Sequence, residues 1–441
     1  MTTPPPTKKI RIAIIGGGLA GATLIHSLLK QPHLSIHIYE SASVFSERGA
    51  AVGLAINAQN ALSKMGMAEV VSKAGGVRMN SSRTIVASGP HADDIIFDLA
   101  SELQGLVVHR AELLKELLAP VPKEYGTNVE ADAVIGADGI HGFVRSYILG
   151  KDHPATKARF AGFWDCRSLV SMQKAKEVLG EKYFEEQRQY AWCGDGGFFL
   201  HDVLDGGGDG AVSLFCLVPC VEVQDGLDVV FALLANTNGM ALCRCVGSVM
   251  TSSSTSWESD EKNWKKDLDR STLEAAFESW TNSPIPKPMI ELLLENPNPQ
   301  AFAQWHHSEN APTYTKGAIC MMGDAAHAMT PWQGSGAGQA IEDSLILSTL
   351  LSALTHVSQL RTAFTASDTT CRVRSQLVVH SSLGTGNLMC GAGEDVGLDP
   401  QKMREALGKR WDFIYGVDMK VFKGGALRVF KELEREEGRG K

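Results

Sequence analysis

IRIAIIGGGLAGATLIHSLLKQPHLSIHIYE, residues 10–40, is the stretch on which the fold turns. Ile10 to Ile15 is a short apolar run rich in β-branched residues, the composition of a buried parallel strand. Gly16-x-Gly18-x-x-Gly21 follows, then ATLIHSLLK with helical apolar spacing, then LSIHIYE, a second strand that ends in Glu40. Strand, helix and strand in about 30 residues make a βαβ unit. Gly16 permits the tight turn, Gly18 lets backbone approach a pyrophosphate, and Gly21 lets the helix pack close to the strand. The helix N-terminus adds unbonded N–H groups and a positive dipole for phosphate. Glu40 stands where a carboxylate accepts the hydroxyls of an adenosine ribose, which argues against a 2′-phosphate there. The unit binds a dinucleotide, and by itself leaves FAD and NAD(P) open.

Outward from this unit, VVHRAELLKELL (107–118) reads as a strand end and a helix, and ADAVIGADG (131–139) as a strand ending in Asp138-Gly139. From about 160 to 310 aromatic and alternating segments predict a mainly β region. Its Gly206-x-Gly208-x-x-Ala211 precedes a strand rather than a helix, so a hairpin turn is expected there and not a second phosphate site. A second glycine cluster, GAICMMGDAAHAMTPWQGSGAGQAIEDS (317–344), places Asp324 after an apolar strand and glycines directly before a helix. One dinucleotide site far from this cluster favours a large flavin threading through the fold. Helical patterns dominate beyond it.

The formal net charge of −8 gives no electrostatic case for nucleic acid or an anionic membrane surface. The nine cysteines form no CxxC pair, which suggests reduced thiols in a cytoplasmic setting. Cys243 and Cys245 lack further ligands at metal spacing, so no metal site is expected. The N-terminus MTTPPPTKKI has no apolar h-region, and VVFALLANTNGMALCRCVGSVM (229–250) is too interrupted for a membrane span.

Five segments together carry a resemblance: IAIIGGGLAGATLIHSLL with Glu40, FSERGAAVGLAINAQNAL, VHRAELLKELL, DAVIGADGIHGFVR and the 317–344 stretch. In this order they resemble the FAD-dependent aromatic hydroxylases, flavoprotein monooxygenases of the salicylate hydroxylase-like group, and most of all its fungal members. The resemblance implies an α/β fold: a Rossmann-type FAD-binding domain, an inserted mainly β substrate domain and a helical C-terminal region. Its divisions here are 1–160 and 311–365 for FAD, 161–310 for substrate, and 366–441 for the C-terminal helices. It assigns Gly16, Gly18, Gly21 and Glu40 to the ADP half of FAD, and Ala51, Gly53 and Arg110 to positions near the flavin. Asp138 and Gly139 match a DG motif serving FAD and pyridine nucleotide, Asp324 the acid that holds the ribityl chain, and Ala337 a backbone contact to the ring. The Pro331–Gly338 loop is expected to set helix N–H groups near the flavin edge that gains negative charge.

The implied activity is hydroxylation of a phenolic acid, salicylate or orsellinic-acid-like, decarboxylative when the attacked carbon bears the carboxylate. NAD(P)H reduces the flavin, and O2 then gives a C4a-hydroperoxide that transfers the hydroxyl. Arg167 and Tyr190 are the candidate catalytic residues, with His201 and Pro331 on the substrate side; His327 is expected to be a packed core histidine. A cytoplasmic monomer or homodimer is expected. The chain departs from the family in a short 119–130 segment, in an apparent insertion at 218–252, in Cys-Arg-Ser around Arg167, and in HDVL where an aromatic-Pro pair is usual. A flavin epoxidase and a catalytically impaired FAD-binding homologue are the alternatives.

Overall fold

The computed structural model describes residues 8–42, 51–79, 81–100, 105–122, 130–186, 188–204, 211–219 and 264–439. The 218–252 departure therefore lies almost wholly outside the described residues, as do most of the 119–130 segment, the 205–210 turn and the apolar 229–250 stretch.

The chain opens with β1 (Ile10–Ile15), α1 (Leu19–Leu28) and β2 (Leu34–Tyr39), the expected βαβ unit, with β1 and β2 parallel. There follow β3 (Ala51–Leu54), α2 (Ile56–Lys64), α3 (Val70–Lys73), β4 (Val77–Arg78), and the antiparallel pair β5 (Ser81–Val86) and β6 (Ile95–Ala100). Next, β7 (Leu106–His109) runs directly into α4 (Arg110–Leu118), and β8 (Ala133–Gly136) leads to α5 (Phe143–Leu149).

The middle of the chain supplies β9 (Arg159–Ser171), α6 (Met172–Leu179), β10 (Arg188–Gly194), β11 (Gly197–Leu204) and β12 (Ala211–Pro219). After it come β13 (Lys265–Asp267), α7 (Arg270–Ala276), α8 (Pro286–Leu293) and β14 (Gln300–His306). The last part carries β15 (Thr315–Lys316), β16 (Ile319–Met321), α9 (Asp324–His327), α10 (Gly336–Ser352), α11 (Leu360–Met389), α12 (Pro400–Leu407), α13 (Asp412–Tyr415) and α14 (Met419–Arg439).

Three sheets organise these elements. The first has the order β15-β16-β8-β1-β2, parallel except at β15. Its strands are apolar on both faces because helices cover them: Ile12, Ile14 and Ile135 pack with Leu24, Leu28, Ile346, Leu350 and Phe364 in one core. The second sheet runs β13-β14-β9-β12-β11-β10-β5-β6, and takes β5 and β6 from well before residue 161. β11 and β12 pair antiparallel with Leu204 opposite Ala211, so the strands flanking the glycine-rich segment form the expected hairpin. The third is a small sheet, β3-β7-β4.

Both faces of the second sheet are buried, against different partners. One packs on α6, α7 and α8 through Trp164, Tyr190, Trp192, Phe199, Phe277, Trp280 and Met289. The other packs through Phe163, Ala191, Cys193 and Phe198 on Trp332 and on Leu388, Met389 and Met403 of α11 and α12. Alternation along β9, β10 and β11 decides which side chain looks which way.

Candidate functional site

At the carboxyl edge of the first sheet, tight backbone packing explains each glycine of the 16–21 loop separately. Gly16 has φ +105, and a Cβ there would lie 2.2 Å from the Ala137 carbonyl oxygen. A Cβ on Gly21 would lie 2.0 Å from the Gly16 carbonyl oxygen, so α1 approaches β1 only because that position is bare. Gly18 differs: a Cβ there would meet nothing within 4 Å. It caps α1 in extended conformation and leaves open the space that a pyrophosphate needs beside the helix N-terminus. Glu40, just past β2, reaches back to this loop. Its carboxylate accepts the Gly17 N–H and the Ala42 N–H, each at 2.8 Å. Burial raises the Glu40 carboxyl, but the N–H groups of Ala42 and Gly17 outweigh it and hold the group below the usual range.

Two neighbouring strands end beside this loop. After β8, Asp138 Oδ2 accepts the Val144 N–H at 3.0 Å at the start of α5, while its Oδ1 is buried without a partner. Gly142 makes room for it, since a Cβ there would lie 2.2 Å from Asp138 Cγ. After β16, Gly323 turns with φ +58, and a Cβ on it would come within 2.8 Å of Ala20 in α1. Asp324 is the first residue of α9 and makes no side-chain cap; its side chain is exposed. The glycine loop, Asp138 and Asp324 thus meet at one sheet edge, the usual ligand position of an open parallel sheet.

The 331–338 loop follows. Pro331 opens a short 3-10 turn, Gly334 is left-handed at φ 59, and Ser335 precedes α10 without capping it with its side chain. Ala337, half-buried in the first turn of α10, is where the helix N–H groups are unclaimed by a cap. β3 and α2 pack against α10, and a Cβ on Gly338 would lie 3.6 Å from Asn57. Ala51 and Gly53 on β3 are register partners of His109 and Val107, which brings them beside Arg110 at the head of α4. A Cβ on Gly53 would also meet nothing within 4 Å. The open positions at Gly18 and Gly53, the orphaned Asp138 oxygen and the uncapped α10 fit an extended dinucleotide such as FAD.

The substrate-side expectations divide. Arg167 lies on β9, on the face shared with Phe163 and so with Trp332. It is not a bare cation: Nη2 and Nε donate to Asp165 Oδ2 at 2.5 and 3.0 Å, and its guanidinium lies 5.2 Å over Phe302. Asp165 two positions earlier was legible in principle, because i and i+2 share a strand face. Tyr190 and His201 are brought together as register partners with rings stacked at 5.2 Å, but on the opposite face. There they pack on Tyr183, Trp192 and the α6–α8 layer, away from Trp332. Burial pushes the His201 imidazole down to about 3. His327 is buried, with Nε2 2.6 Å from Asp343 Oδ2, a core pair beneath the loop. Sequence reading also missed Trp332, which packs on Phe163 and Phe198 at 5.5 and 5.7 Å between centroids.

Among the described residues no group of His, Cys, Asp and Glu stands at metal-ligand spacing, and no helix is long and apolar enough to cross a membrane.

Known proteins resemble the chain over nearly its whole length. A family model described as an FAD binding domain matches residues 218–381. A 6-methylsalicylate 1-monooxygenase of Aspergillus terreus is 33% identical over 97% of this chain and 94% of its own. A salicylate hydroxylase of Pseudomonas putida is 27% identical over 93% of this chain and 92% of its own. A solved salicylate hydroxylase substrate complex shares the fold with a TM-score of 0.74 at 21% identity, covering 95% of this chain and 98% of that one. An α/β flavin fold, a glycine cradle for a dinucleotide and this end-to-end similarity lead to one conclusion: the chain belongs to the salicylate hydroxylase-like family of FAD-dependent monooxygenases.

Proposed function

We propose that this monooxygenase hydroxylates a phenolic acid of the salicylate or orsellinic-acid kind, with NAD(P)H as reductant. Loss of carbon dioxide accompanies the step where the attacked carbon bears the carboxylate. The observation that carries the reading is the 33% identity, across 97% of the chain, to a protein named 6-methylsalicylate 1-monooxygenase. FAD, when bound, stores the electrons of NAD(P)H and activates O2. Everything else falls to the protein's own groups.

In this reading residues 1–160 and 311–365 hold the cofactor. Gly16, Gly18, Gly21 and Glu40 seat its ADP half, and Asp324 its ribityl hydroxyls. Ala51, Gly53, Arg110, Asp138 and Ala337 line the remainder, with the α10 N-terminus favouring negative charge on the ring. Phe163, Phe198 and Trp332, buried against one another, form an apolar backing beside the 331–338 loop for a flat aromatic ligand. Arg167, compensated by Asp165, donates hydrogen bonds to the substrate without placing a full uncompensated charge there. A cytoplasmic monomer or homodimer completes the reading.

Reconstituted with FAD, the protein should be yellow and should oxidise NADH or NADPH at least about tenfold faster with salicylate, 6-methylsalicylate or orsellinate present, a gain of about 1.4 kcal/mol. No stimulation by any of the three sinks the substrate assignment.

A further inference from the structure

The alternation that turns Tyr190 and His201 away from the 331–338 loop turns their neighbours toward it. Asp202 shares its face of β11 with Phe198 and Leu200, and Phe198 lies against Trp332. β11 also contacts β7, the strand that runs into Arg110. Asp202 therefore sits on the sheet face that packs toward Trp332, on a strand that also touches the small sheet. It is 9% exposed, its Oδ1 accepts from Gln189 Nε2 at 2.6 Å, and it joins none of the ion pairs among the described residues. The cation on this face, Arg167, is held by Asp165 instead. Burial raises the Asp202 carboxyl to about 6, against the pull of the Gln189 amide. A carboxyl of that affinity is half charged near pH 6 and mostly charged at neutrality, ready to accept a proton.

Resting on the phenol-hydroxylase reading above, we propose that Asp202 takes the ring-hydroxyl proton of the substrate, with Gln189 as a positioning residue that orients its carboxylate. The phenol O–H bond breaks, the proton goes to an Asp202 oxygen, and the electron pair stays on the phenolate. That pair enriches the ortho and para carbons, one of which forms a C–O bond with one oxygen atom of O2 as the O–O bond breaks, the other oxygen leaving as water with the two electrons that NAD(P)H supplies. The ring regains aromaticity by losing its proton, or carbon dioxide from a carboxylated carbon. Asp202 then returns its proton to the phenolate oxygen.

Other charged or titratable groups facing this region are Asp165 and Arg167 on β9, and His109 at the end of β7, whose imidazole burial lowers. β5 contributes Ser82, the register partner of Gln189.

The test uses FAD-loaded enzyme with 6-methylsalicylate and with resorcinol, following product formed per NAD(P)H consumed from about pH 5 to about pH 9. The wild type should lose kcat/KM on an acid limb near pH 6 that neither free probe nor free flavin explains. Asp202→Asn should lose that limb, with product per NAD(P)H down at least about tenfold and hydrogen peroxide in its place. Gln189→Leu should move the limb upward, because the donor favouring the charged carboxylate is gone. Asp202→Asn with wild-type coupling and pH profile overturns the assignment. If that variant fails to hold FAD, an unmoved limb in Gln189→Leu overturns it instead. A wild type that hydroxylates neither phenol overturns the function reading and this assignment together, whereas wild-type turnover with an indifferent Asn variant overturns the assignment alone.

Discussion

Gly18 and Gly21 lie in one turn of backbone and would answer an added methyl group in opposite ways. At Gly18 the methyl enters open space, so Gly18→Ala should leave the apoprotein as stable as before while FAD affinity falls at least about tenfold. At Gly21 it would lie 2.0 Å from the Gly16 carbonyl oxygen, so Gly21→Ala should cost about 2–4 kcal/mol in denaturant unfolding before any cofactor is added. Equal losses of stability in both variants would refute the distinction. Asp202 offers a second residue-level contrast. Its raised carboxyl means that the folded chain carries a strained charge above pH 6, so Asp202→Asn should gain up to about 3 kcal/mol at pH 7.5, measured by thermal unfolding. A stabilised but uncoupled variant is the signature of a group kept for function. The glycines and Glu40 were legible because their roles are local, within a single βαβ unit. Asp202 was not, because its role depends on which face of β11 looks toward Trp332.

At the scale of elements, α10 is the helix that the site depends on, and nearly every residue from Gly338 to Leu351 is buried. Charge inside such a layer survives only when paired. Glu342 on α10 accepts Arg374 Nε at 2.7 Å from α11, and Asn57 Nδ2 at 2.7 Å from α2. Arg374 also donates to the Phe413 and Ile414 carbonyls of α13. One side-chain cluster thus ties four helices at the base of the flavin loop. Arg374→Met should cost about 3–5 kcal/mol, and adding Glu342→Gln should recover part of it, since the single variant strands a buried carboxylate. A double variant no better than the single one would count against that account. The 331–338 loop is fixed from the other side: a Cβ on Gly386 of α11 would lie 2.2 Å from Trp332 Nε1. The helical pattern of 366–441 was plain in the sequence, but its purpose as a support for Trp332 and α10 was not, because the partners lie far apart along the chain.

Across the whole molecule, buried neutral histidines set the acid limit. Burial lowers His201 to about 3, His306 to about 4 and His307 to about 2, the last two helped by neighbouring positive groups. In the unfolded chain each binds a proton below about pH 6.5, while the folded chain refuses it. Folded pKa values below the unfolded ones make stability fall as pH falls, by roughly 1.4 kcal/mol per pH unit for each group. Asp202 opposes them, since its folded carboxyl holds a proton that the unfolded one releases between its ordinary range and about 6. With His109 also lowered and His327 raised beside Asp202, four groups act against two, so the melting temperature should drop between about pH 6.5 and about pH 5, and a flat profile there would exclude the balance.

The βαβ unit, the strand ends at Asp138 and Asp324, and the family itself followed from sequence, because turn glycines, apolar period and terminal acids act over a few residues. The division of the chain did not follow so simply: β5 and β6 cross from the first region to complete the second sheet. Nor did the substrate side. Tyr190 and His201 stack as partners on the wall behind, while Arg167 is matched by Asp165 and faces the loop with Asp202. Sequence alternation says that neighbours point apart, and it determined as much here. Only tertiary packing, with α6–α8 on one face and Trp332 on the other, decided which of the two sets lies on the side of the 331–338 loop.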